Sequence, residues 1–391
     1  MPLRPITLFG IILSMVTGVV IGITAFWTLE RHYPDPSAEA TARTLVAVVR
    51  QVSDSYVRTV PQSELVDNAI RGMVDALDAH STFLDKKDFH RLQEETTGRF
   101  GGIGIEIGLT AGKVTIIAPL DNTPAERAGM QAGDTLIELD HGRLAHESLT
   151  QAVNNLRGEP GSPVHVRVRR AGHADPIDFN LVRAIISVNS VRSRLLEPGI
   201  GYLRISQFQN TTGDDVKRAV EDLASQSESR LAGLIIDLRN NPGGVLRASV
   251  AVADTFLDHG LIVYTEGRLP SSDIRFTASG TDILDGAPIA VLINRGSASA
   301  SEIVAGALQD HGRAVLVGTK SYGKGSVQSV LPLENQRAIK LTTALYFTPS
   351  GRSIQSNGIT PDVMVPNDGA ATPEAYSQMI LAEALKHLKQ G

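Results

Sequence analysis

The chain has 391 residues, of which 42% are hydrophobic and 20% are charged, a balance typical of folded proteins and not of disordered ones. At about 150 residues per domain, this length predicts two to three domains. Lys and Arg total 37 against 42 Asp and Glu, so the net charge of −5 gives no sign of a nucleic-acid-binding protein. Cysteine is absent, which excludes disulfides, thiolate metal ligands and a cysteine nucleophile.

The first predicted element is the uncharged segment Ile6–Leu29. At about 1.5 Å per residue, a helix of this length crosses a bilayer core of about 30 Å. A cleaved signal peptide is the alternative, with Ala38-Glu39-Ala40 as a cleavage site, but its apolar core would span about 7–15 residues. We therefore expect an uncleaved anchor, with a cytoplasmic amino terminus at Arg4 and a tether at Tyr33–Ser37.

Residues 38–97 carry the apolar spacing of helices. The first predicted helix has an apolar face from Leu45 to Val52. Ser63 is the predicted cap of a second helix, whose apolar positions run to Leu77. These apolar faces allow self-association, although spacing alone does not show it.

After this helical region the pattern changes to short strands separated by turns. Val114–Ile117 and Val164–Val168 alternate as half-buried strands do. One helix is predicted between them, with Leu149, Val153 and Leu156 at helical spacing. The pattern predicts a separate domain built mainly of strands.

From Gly201 onward strands alternate with helices, which predicts a sheet covered by helices. A loop follows from Asn367, and the last predicted element is an amphipathic helix, Pro373–Leu388. The predicted strands are Tyr202–Ile205, Leu234–Leu238, Ile289–Ile293 and Ala314–Val317, and the predicted helices are Asp214–Ser225, Leu246–Leu257 and Ser299–Gln309.

Three serines stand where a predicted strand passes into a helix: Ser297, Ser299 and Ser301. Backbone N–H groups at a helix amino end can hold an oxyanion beside a serine nucleophile. The alternative is an ordinary helix cap, with Glu302 completing a capping box. Because caps are far commoner, spacing alone favours the cap, and it does not choose among the serines.

Lys324 ends a G-x-x-x-x-G-K sequence that begins at Gly318, the start of a phosphate-binding loop. Gly325 stands where such a loop has Ser or Thr, and Ser326–Val330 is strand-like, so a nucleotide site is disfavoured. In a second role, Lys324 is a general base whose pKa burial lowers from about 10.4. Gln328 then lies on the same side of an extended segment and holds the amine without adding charge. A solvated surface lysine is the plain alternative.

The turn Asp237–Gly244 follows a predicted strand, at the edge where open α/β sheets bind ligands. Gly243 or Gly244 offers a second oxyanion N–H there, and an ordinary turn is the alternative. A Ser-His-Asp triad is disfavoured, because one predicted helix places Ser299 and His311 at its opposite ends. His-Glu-x-x-His does not occur, so no metalloprotease motif is present.

Six segments recur in the order of a known family: Leu77–Leu84, Gly201–Ile205, Asp237–Gly244, Gly296–Glu302, Gly323–Gly325 and Thr348–Arg352. Over about residues 40–366 they resemble the carboxy-terminal processing (tail-specific) serine peptidases. Ala79 departs from the family pattern, in which proline is more usual.

The resemblance implies Ser299 as the nucleophile, Lys324 as the base and Gln328 as the residue that orients the lysine. The N–H of Ala300 and that of Gly243 or Gly244 would then stabilise the oxyanion. The resemblance implies no metal and no cofactor.

Residues 98–186 resemble the PDZ module that this family inserts before its catalytic core. Gly102-Ile103-Gly104-Ile105 matches the loop whose N–H groups receive a terminal carboxylate, while the peptide adds as a strand. Val153 and Leu156 would line a pocket for an apolar last side chain, and core packing is the alternative for both.

The resemblance implies a multidomain α+β / α/β protein. Its parts are an anchor and tether (1–37), a helical region (38–97), a PDZ domain built as a small β-barrel with helices (98–186), a ClpP/crotonase-like α/β peptidase core (187–366) and a final loop and helix (367–391). We expect a Ser-Lys endopeptidase that binds protein substrates by their carboxyl tails and forms homo-oligomers. Its expected location is the periplasmic face of a bacterial inner membrane, with an adaptor protein as a further partner.

Two alternatives to this function stay open at this point. One is a PDZ scaffold with a latent peptidase domain that needs an adaptor. The other is nucleotide binding at Gly318–Lys324, which the missing Ser or Thr makes the weaker of the two.

Overall fold

The computed structural model describes residues 36–140, 142–143, 149–227, 230–280, 282–366 and 372–390. The chain divides into two units, Met1–Leu77 and Asp78–Gly391. Within the described ranges, no helix combines the length and the hydropathy that a membrane crossing needs. The predicted anchor Ile6–Leu29 lies outside those ranges.

Helices are interspersed among many short strands. The helices are α1 Pro36–Ser55, α2 Gln62–Asp75, α3 Lys86–Thr97, α4 Pro124–Arg127, α5 Leu149–Leu156, α6 Thr212–Gln226, α7 Leu246–Asp254, α8 Ala300–Asp310 and α9 Pro373–Leu388. The strands are β1 Thr82–Leu84, β2 Arg99–Gly102, β3 Ile105–Thr110, β4 Lys113–Pro119, β5 Thr135–Leu139, β6 Gly142–Arg143, β7 Pro163–Arg169, β8 Ile177–Val182, β9 Ala184–Ser187, β10 Val191–Glu197, β11 Ile200–Ile205, β12 Gly233–Asp237, β13 Leu261–Gly267, β14 Arg275–Thr277, β15 Ile289–Ile293, β16 Ala314–Gly318, β17 Ser326–Leu333, β18 Arg337–Phe347 and β19 Val363–Met364.

The first unit contains α1 and α2, which contact each other. Because α1 begins at Pro36, the predicted tether Tyr33–Ser37 is wrong at its carboxyl end. The predicted cap at Ser63 is also wrong, since Pro61 precedes α2 and Ser63 lies in its first turn. The ring of Pro61 holds φ at −57°, and the extended ψ of 136° ends the preceding segment there.

A short strand interrupts the region that was predicted to be helical. Thr82–Leu84 forms β1, which pairs antiparallel with β18 and places Phe83 opposite Ile339. The Phe83 side chain is completely buried. Local helical spacing could not indicate this strand, because its partner lies far along the chain.

An antiparallel sheet forms the domain between α3 and β10. Its strand order is β3-β4-β5-β7-β8, with β6 on β5, and α5 packs against β3 and β5. The predicted strands Val114–Ile117 and Val164–Val168 lie within β4 and β7. Since β2 pairs with β9, the chain enters and leaves this domain side by side.

A six-stranded sheet carries the candidate site, in the order β10-β11-β12-β15-β16-β19. All neighbours from β11 to β19 are parallel. Helices α6, α7 and α8 cover one face and α9 covers the other. Because β12 and β15 are buried on both faces, their sequences are continuous apolar runs. The predicted α/β alternation is confirmed, but α7 ends at Asp254, before the predicted Leu257.

A second, antiparallel sheet contains β1, β18, β13 and β14, with β17 on the remaining edge of β18. In the β17–β18 hairpin Gln328 lies opposite Thr342. Asp78 joins this hairpin to the loop before β1. Its carboxylate accepts hydrogen bonds from Ser81 Oγ (2.7 Å) and Thr342 Oγ1 (3.2 Å).

These hydrogen bonds make part of the stability depend on pH. The Ser81 hydroxyl, with the backbone N–H groups of His80 and Ser81 and the Thr342 hydroxyl, lowers the pKa of Asp78 from 3.8 to about 2. A carboxyl whose pKa is lower in the folded state adds stability above its unfolded pKa, and this stability disappears as the pH falls towards 2.

We therefore expect Asp78→Asn to lower the urea midpoint of unfolding at pH 7, and the deficit to shrink at pH 3. Circular dichroism at both pH values measures the two midpoints. Asp121→Asn, at an exposed carboxylate, is the charge-matched control. An equal deficit at pH 7 and pH 3 would contradict the proposed role of the ionised carboxylate.

Candidate active site

The turn between β15 and α8 holds Ser299 in a strained backbone conformation, with φ 54° and ψ −114°. Positive φ is uncommon for a residue with a side chain, and such strain, of about 1–3 kcal/mol, clusters at functional sites. The turn places Ser299 at the amino end of α8, where the first N–H groups have no partner within the helix. This is the geometry that an exposed nucleophile between a strand and a helix requires.

Hydrogen bonds separate the roles of the three predicted serines. The Ser297 hydroxyl donates to the Leu238 carbonyl (2.8 Å). The Ser301 hydroxyl donates to the Asn241 carbonyl (2.9 Å). Both serines are completely buried and hold the glycine turn against the start of α8. Of the three, only Ser299 lines the adjacent cleft.

The glycine turn lies directly against Ser299 and Ala300. A Cβ on Gly243 would lie 2.8 Å from the Ser299 Cβ and 3.0 Å from the Ala300 nitrogen, so a side chain does not fit there. The Gly243 N–H donates to Asn241 Oδ1 (2.9 Å) and is therefore occupied. Within the described residues the N–H groups of Gly244 and Ala300 have no acceptor, and both residues line the cleft. These two groups are the open donors beside Ser299.

Glu302 is completely buried and connects Ser299 with Lys324. Its Oε2 accepts from the backbone N–H groups of Ser299 (2.7 Å) and Lys324 (3.0 Å). Its Oε1 accepts from Ser321 Oγ (2.5 Å) and the Gly323 N–H (2.7 Å). Burial raises the pKa of Glu302, and these four donors oppose the rise. The capping contact expected of Glu302 is present, but the same carboxylate also holds the lysine loop.

Lys324 lies on the loop between β16 and β17, in the same cleft as Lys340. Burial, and then the charge of Lys340, lower the pKa of Lys324 below its ordinary value. Both effects penalise the ammonium form. Among the residues that the structure describes, none forms a hydrogen bond or ion pair with the Lys324 amine. This environment favours the neutral amine that a general base needs.

Gln328 lines the same cleft as Lys324. Its amide nitrogen donates to Ser326 Oγ (2.9 Å) and to Thr342 Oγ1 (3.4 Å). No Gln328–Lys324 hydrogen bond is present in the described structure, so the expected contact between amide and amine stays a prediction.

Tyr346 is a site residue that the sequence reading did not single out. Its side chain is 2% exposed, and its hydroxyl donates to the Lys324 carbonyl. Ser299 lies beside the same hydroxyl and acts to lower its pKa. Burial raises the pKa of Tyr346 well above its ordinary value, which keeps the hydroxyl protonated. The local sequence offers little signal, because the pairing of β18 brings Tyr346 to the site.

The cleft has a volume of about 360 Å³. Its lining joins the turn after β12, the start of α8, the lysine loop and the β17–β18 hairpin. Phe208, Val245 and Ile303 form an apolar wall next to Ser299. Such a wall suits an apolar side chain of a bound peptide.

Three alternative kinds of site lack the geometry that they need in the described residues. His311 follows the far end of α8, where its Nε2 lies 2.7 Å from the Leu261 carbonyl. Among the described residues no histidine lines the cleft, so Ser299 has no triad partner there. The chain after Gly325 enters β17 and not a helix, which removes the helix amino end of a phosphate-binding loop. No cluster of three or more His, Asp or Glu suited to a metal ion occurs in the described ranges.

The residues predicted to bind a carboxyl tail come together in a pocket of about 210 Å³. Ile103 and Leu156 are buried and also pack in the core of this domain. The Arg157 guanidinium lies 4.6 Å from the Phe100 ring centroid and donates to Glu94 of α3 at 3.4 Å, so its charge is paired. The lining contains the predicted Gly102, Ile103, Gly104, Ile105, Val153 and Leu156, and also Phe100, Ile107 and Arg157, which the sequence reading had not singled out.

Two family models match separate parts of the chain. The model for peptidase family S41 matches residues 199–365, and that for the PDZ domain matches residues 101–181. The first range contains Ser299 and Lys324. The second contains most of the residues that line the pocket of about 210 Å³.

Relatives match this chain over most of its length. The carboxy-terminal-processing protease of Bartonella bacilliformis is 44% identical over 330 residues, which are 84% of this chain and 75% of that protein. The carboxyl-terminal-processing protease of Synechocystis sp. is 39% identical over 80% of this chain and 74% of that protein.

Solved structures show the same architecture. The photosystem II D1 C-terminal processing protease superposes with a TM-score of 0.50 and 29% identity, over 87% of this chain and 97% of that protein. A putative S41 protease from Bacteroides fragilis gives a TM-score of 0.51 over 92% of this chain and 98% of that protein. At 17% identity, the second likeness concerns the fold alone.

Proposed function

The chain belongs to peptidase family S41, the carboxy-terminal processing serine peptidases, and from this premise we propose that it cleaves proteins with a Ser299–Lys324 dyad. The proposal rests mainly on the Glu302 carboxylate. Its Oε2 accepts from the backbone N–H groups of both Ser299 and Lys324, and so holds the strained turn and the lysine loop together. Both proposed catalytic side chains line one cleft, and burial favours the neutral form of the lysine.

In the proposed acylation step, the neutral Lys324 amine takes the hydroxyl proton of Ser299. The serine oxygen forms a bond with the carbonyl carbon of the scissile peptide. The resulting oxyanion accepts hydrogen bonds from the N–H groups of Gly244 and Ala300. The lysine ammonium then gives its proton to the leaving nitrogen as the C–N bond breaks.

Water completes the cycle at the same site. Lys324 takes a proton from a water molecule, whose oxygen attacks the acyl carbon. The bond to the Ser299 oxygen breaks, and the lysine returns the proton to the serine. Gln328 holds the amine through its amide oxygen and adds no charge that would favour the ammonium form.

We expect Ser299→Ala and Lys324→Ala each to lower the cleavage of casein by more than about 10³-fold, because each removes a member of a unit that acts together. Thermal melting should show that both variants stay folded. Lys320→Ala, at an exposed lysine in the same loop, is the control and should keep full activity. More than about one tenth of the normal rate in either dyad variant would reject the dyad.

The pH profile tests the state of the lysine. Activity should fall on the acid side as Lys324 gains its proton. Because the charge of Lys340 lowers the pKa of Lys324, Lys340→Gln should move this acid limb of kcat to higher pH. Lys217→Gln, on the exposed surface of α6, should leave the limb in place. An acid limb that stays unchanged in Lys340→Gln would contradict the proposed electrostatic coupling.

We further propose that the PDZ domain binds the carboxyl tail of a protein substrate. Its pocket is apolar where Ile105, Ile107 and Val153 meet, and Arg157 lies at its rim. A terminal carboxylate accepts hydrogen bonds from backbone N–H groups in such loops, and the tail adds as a strand. The small volume of the pocket suits an apolar last side chain.

We expect Val153→Glu to raise KM about tenfold for a peptide with a free carboxyl end, because a carboxylate would enter the apolar pocket. The kcat value should change little, since the dyad is untouched. Asn154→Glu, which adds the same charge outside this pocket, is the matched control. The proposal fails if the unaltered protein cleaves amidated and free-acid peptides with equal KM.

The cellular setting is proposed from the sequence. Ile6–Leu29 has the length and the lack of charge of a membrane anchor, and Arg4 favours a cytoplasmic amino terminus. This orientation would place the peptidase core on the periplasmic side of a bacterial inner membrane. Homo-oligomer formation and an adaptor protein stay predictions.

A further inference from the structure

The β17–β18 hairpin contains a β-bulge next to the cleft. Val327 pairs with Ala344, whereas Gln328 pairs with Thr342, so Thr343 is the extra residue on β18. Bulges redirect side chains and are frequent beside active sites. Here the bulge places the Gln328 side chain on the cleft, directly across from Thr342.

The hydroxyl of Thr342 has a single proton, and it donates this proton in a hydrogen bond to the Asp78 carboxylate. The two oxygens lie 3.2 Å apart. Asp78 also accepts from the backbone N–H groups of His80 (2.7 Å) and Ser81 (2.9 Å). The Ser81 hydroxyl adds a fourth hydrogen bond (2.7 Å). A carboxyl with four donors stays ionised at neutral pH and can only accept, in agreement with its pKa of about 2.

Because its proton is already donated, the Thr342 oxygen can only accept from Gln328. The Gln328 amide therefore turns its NH₂ group towards Thr342, with 3.4 Å between Gln328 Nε2 and Thr342 Oγ1. The same group donates to Ser326 Oγ at 2.9 Å. In an amide, the donor nitrogen and the acceptor oxygen are bonded to the same carbon and point in different directions. The Gln328 Oε1 atom is therefore directed away from these two hydroxyls. Among the described residues, none donates to this oxygen.

We propose that Asp78 and Thr342 are positioning residues that set the orientation of the Gln328 amide, which leaves its oxygen to accept from the Lys324 amine. This inference rests on the proposed dyad. Without the Thr342 hydroxyl, the Gln328 amide can turn over, so that its NH₂ group and not its oxygen faces Lys324. This NH₂ group would then donate to the lone pair of the Lys324 amine, which the neutral lysine needs to take the serine proton.

The first experiment replaces the hydroxyl without changing the shape of the strand. Thr342→Val should lower kcat about tenfold and leave KM unchanged, because Thr342 does not touch the substrate. Thr342→Ser keeps the hydroxyl and should stay within about twofold of the normal kcat. Thr343→Val is the matched control, since its hydroxyl pairs with Ser329 and not with Gln328. This control should keep the normal kcat.

The second experiment asks whether Thr342 acts through Gln328. Gln328→Ala should itself lower kcat about tenfold. In that background Thr342→Val should lower kcat by less than about twofold further, because no amide remains to be oriented. A merely structural role of Thr342 would instead cost the same factor in both backgrounds and would overturn the proposal.

The remaining outcomes separate this inference from the proposed function. If Thr342→Val or Gln328→Ala keeps the normal kcat while Ser299→Ala is inactive, the dyad stands and the positioning role is wrong. If Ser299→Ala or Lys324→Ala keeps its activity, the dyad and this inference are both wrong. Thermal melting of every variant identifies loss of kcat that comes from unfolding.

Discussion

The Glu302 carboxylate joins the turn that contains Ser299 to the loop that contains Lys324. It is completely buried, and four donors satisfy its two oxygens. Two of these donors are the backbone N–H groups of the proposed nucleophile and the proposed base. A buried carboxylate is costly unless it is hydrogen-bonded, so this arrangement is stable only when both loops are in place. The proposed nucleophile and base are therefore in position only when both of these loops are folded.

The same arrangement keeps the Glu302 carboxylate near the proposed dyad without an ion pair to the Lys324 amine. The oxygens of Glu302 are occupied by N–H and hydroxyl groups, and the Lys324 amine is not among their donors. Lys340 places a positive charge in the cleft beside Lys324. Burial and like charge therefore act in the same direction on the pKa of Lys324. Electrostatics of this kind suit a lysine that must begin the reaction unprotonated.

Local sequence patterns predicted several of the strands and helices. The alternation of apolar strands and helices after Gly201 predicted the α/β core, because β12 and β15 are buried on both faces. The period-two pattern located β4 and β7. Local patterns failed at Thr82–Leu84, where a distant strand overrides the helical spacing, and at Ser63, where Pro61 sets the start of α2.

The family could be identified without coordinates, since its motifs are short segments whose order and spacing can be read along the chain. The sequence also placed Ser299, Lys324 and Gln328 among the candidates. The different environments of Ser297, Ser301 and Ser299 required the folded structure, because Ser297 and Ser301 donate to carbonyls of another loop. The fold also brought Tyr346 to the cleft and joined Asp78 to Thr342, which contacts Gln328. These residues meet because segments that are distant in the sequence pair as strands and pack together. Such contacts produce no periodic pattern in the amino-acid sequence.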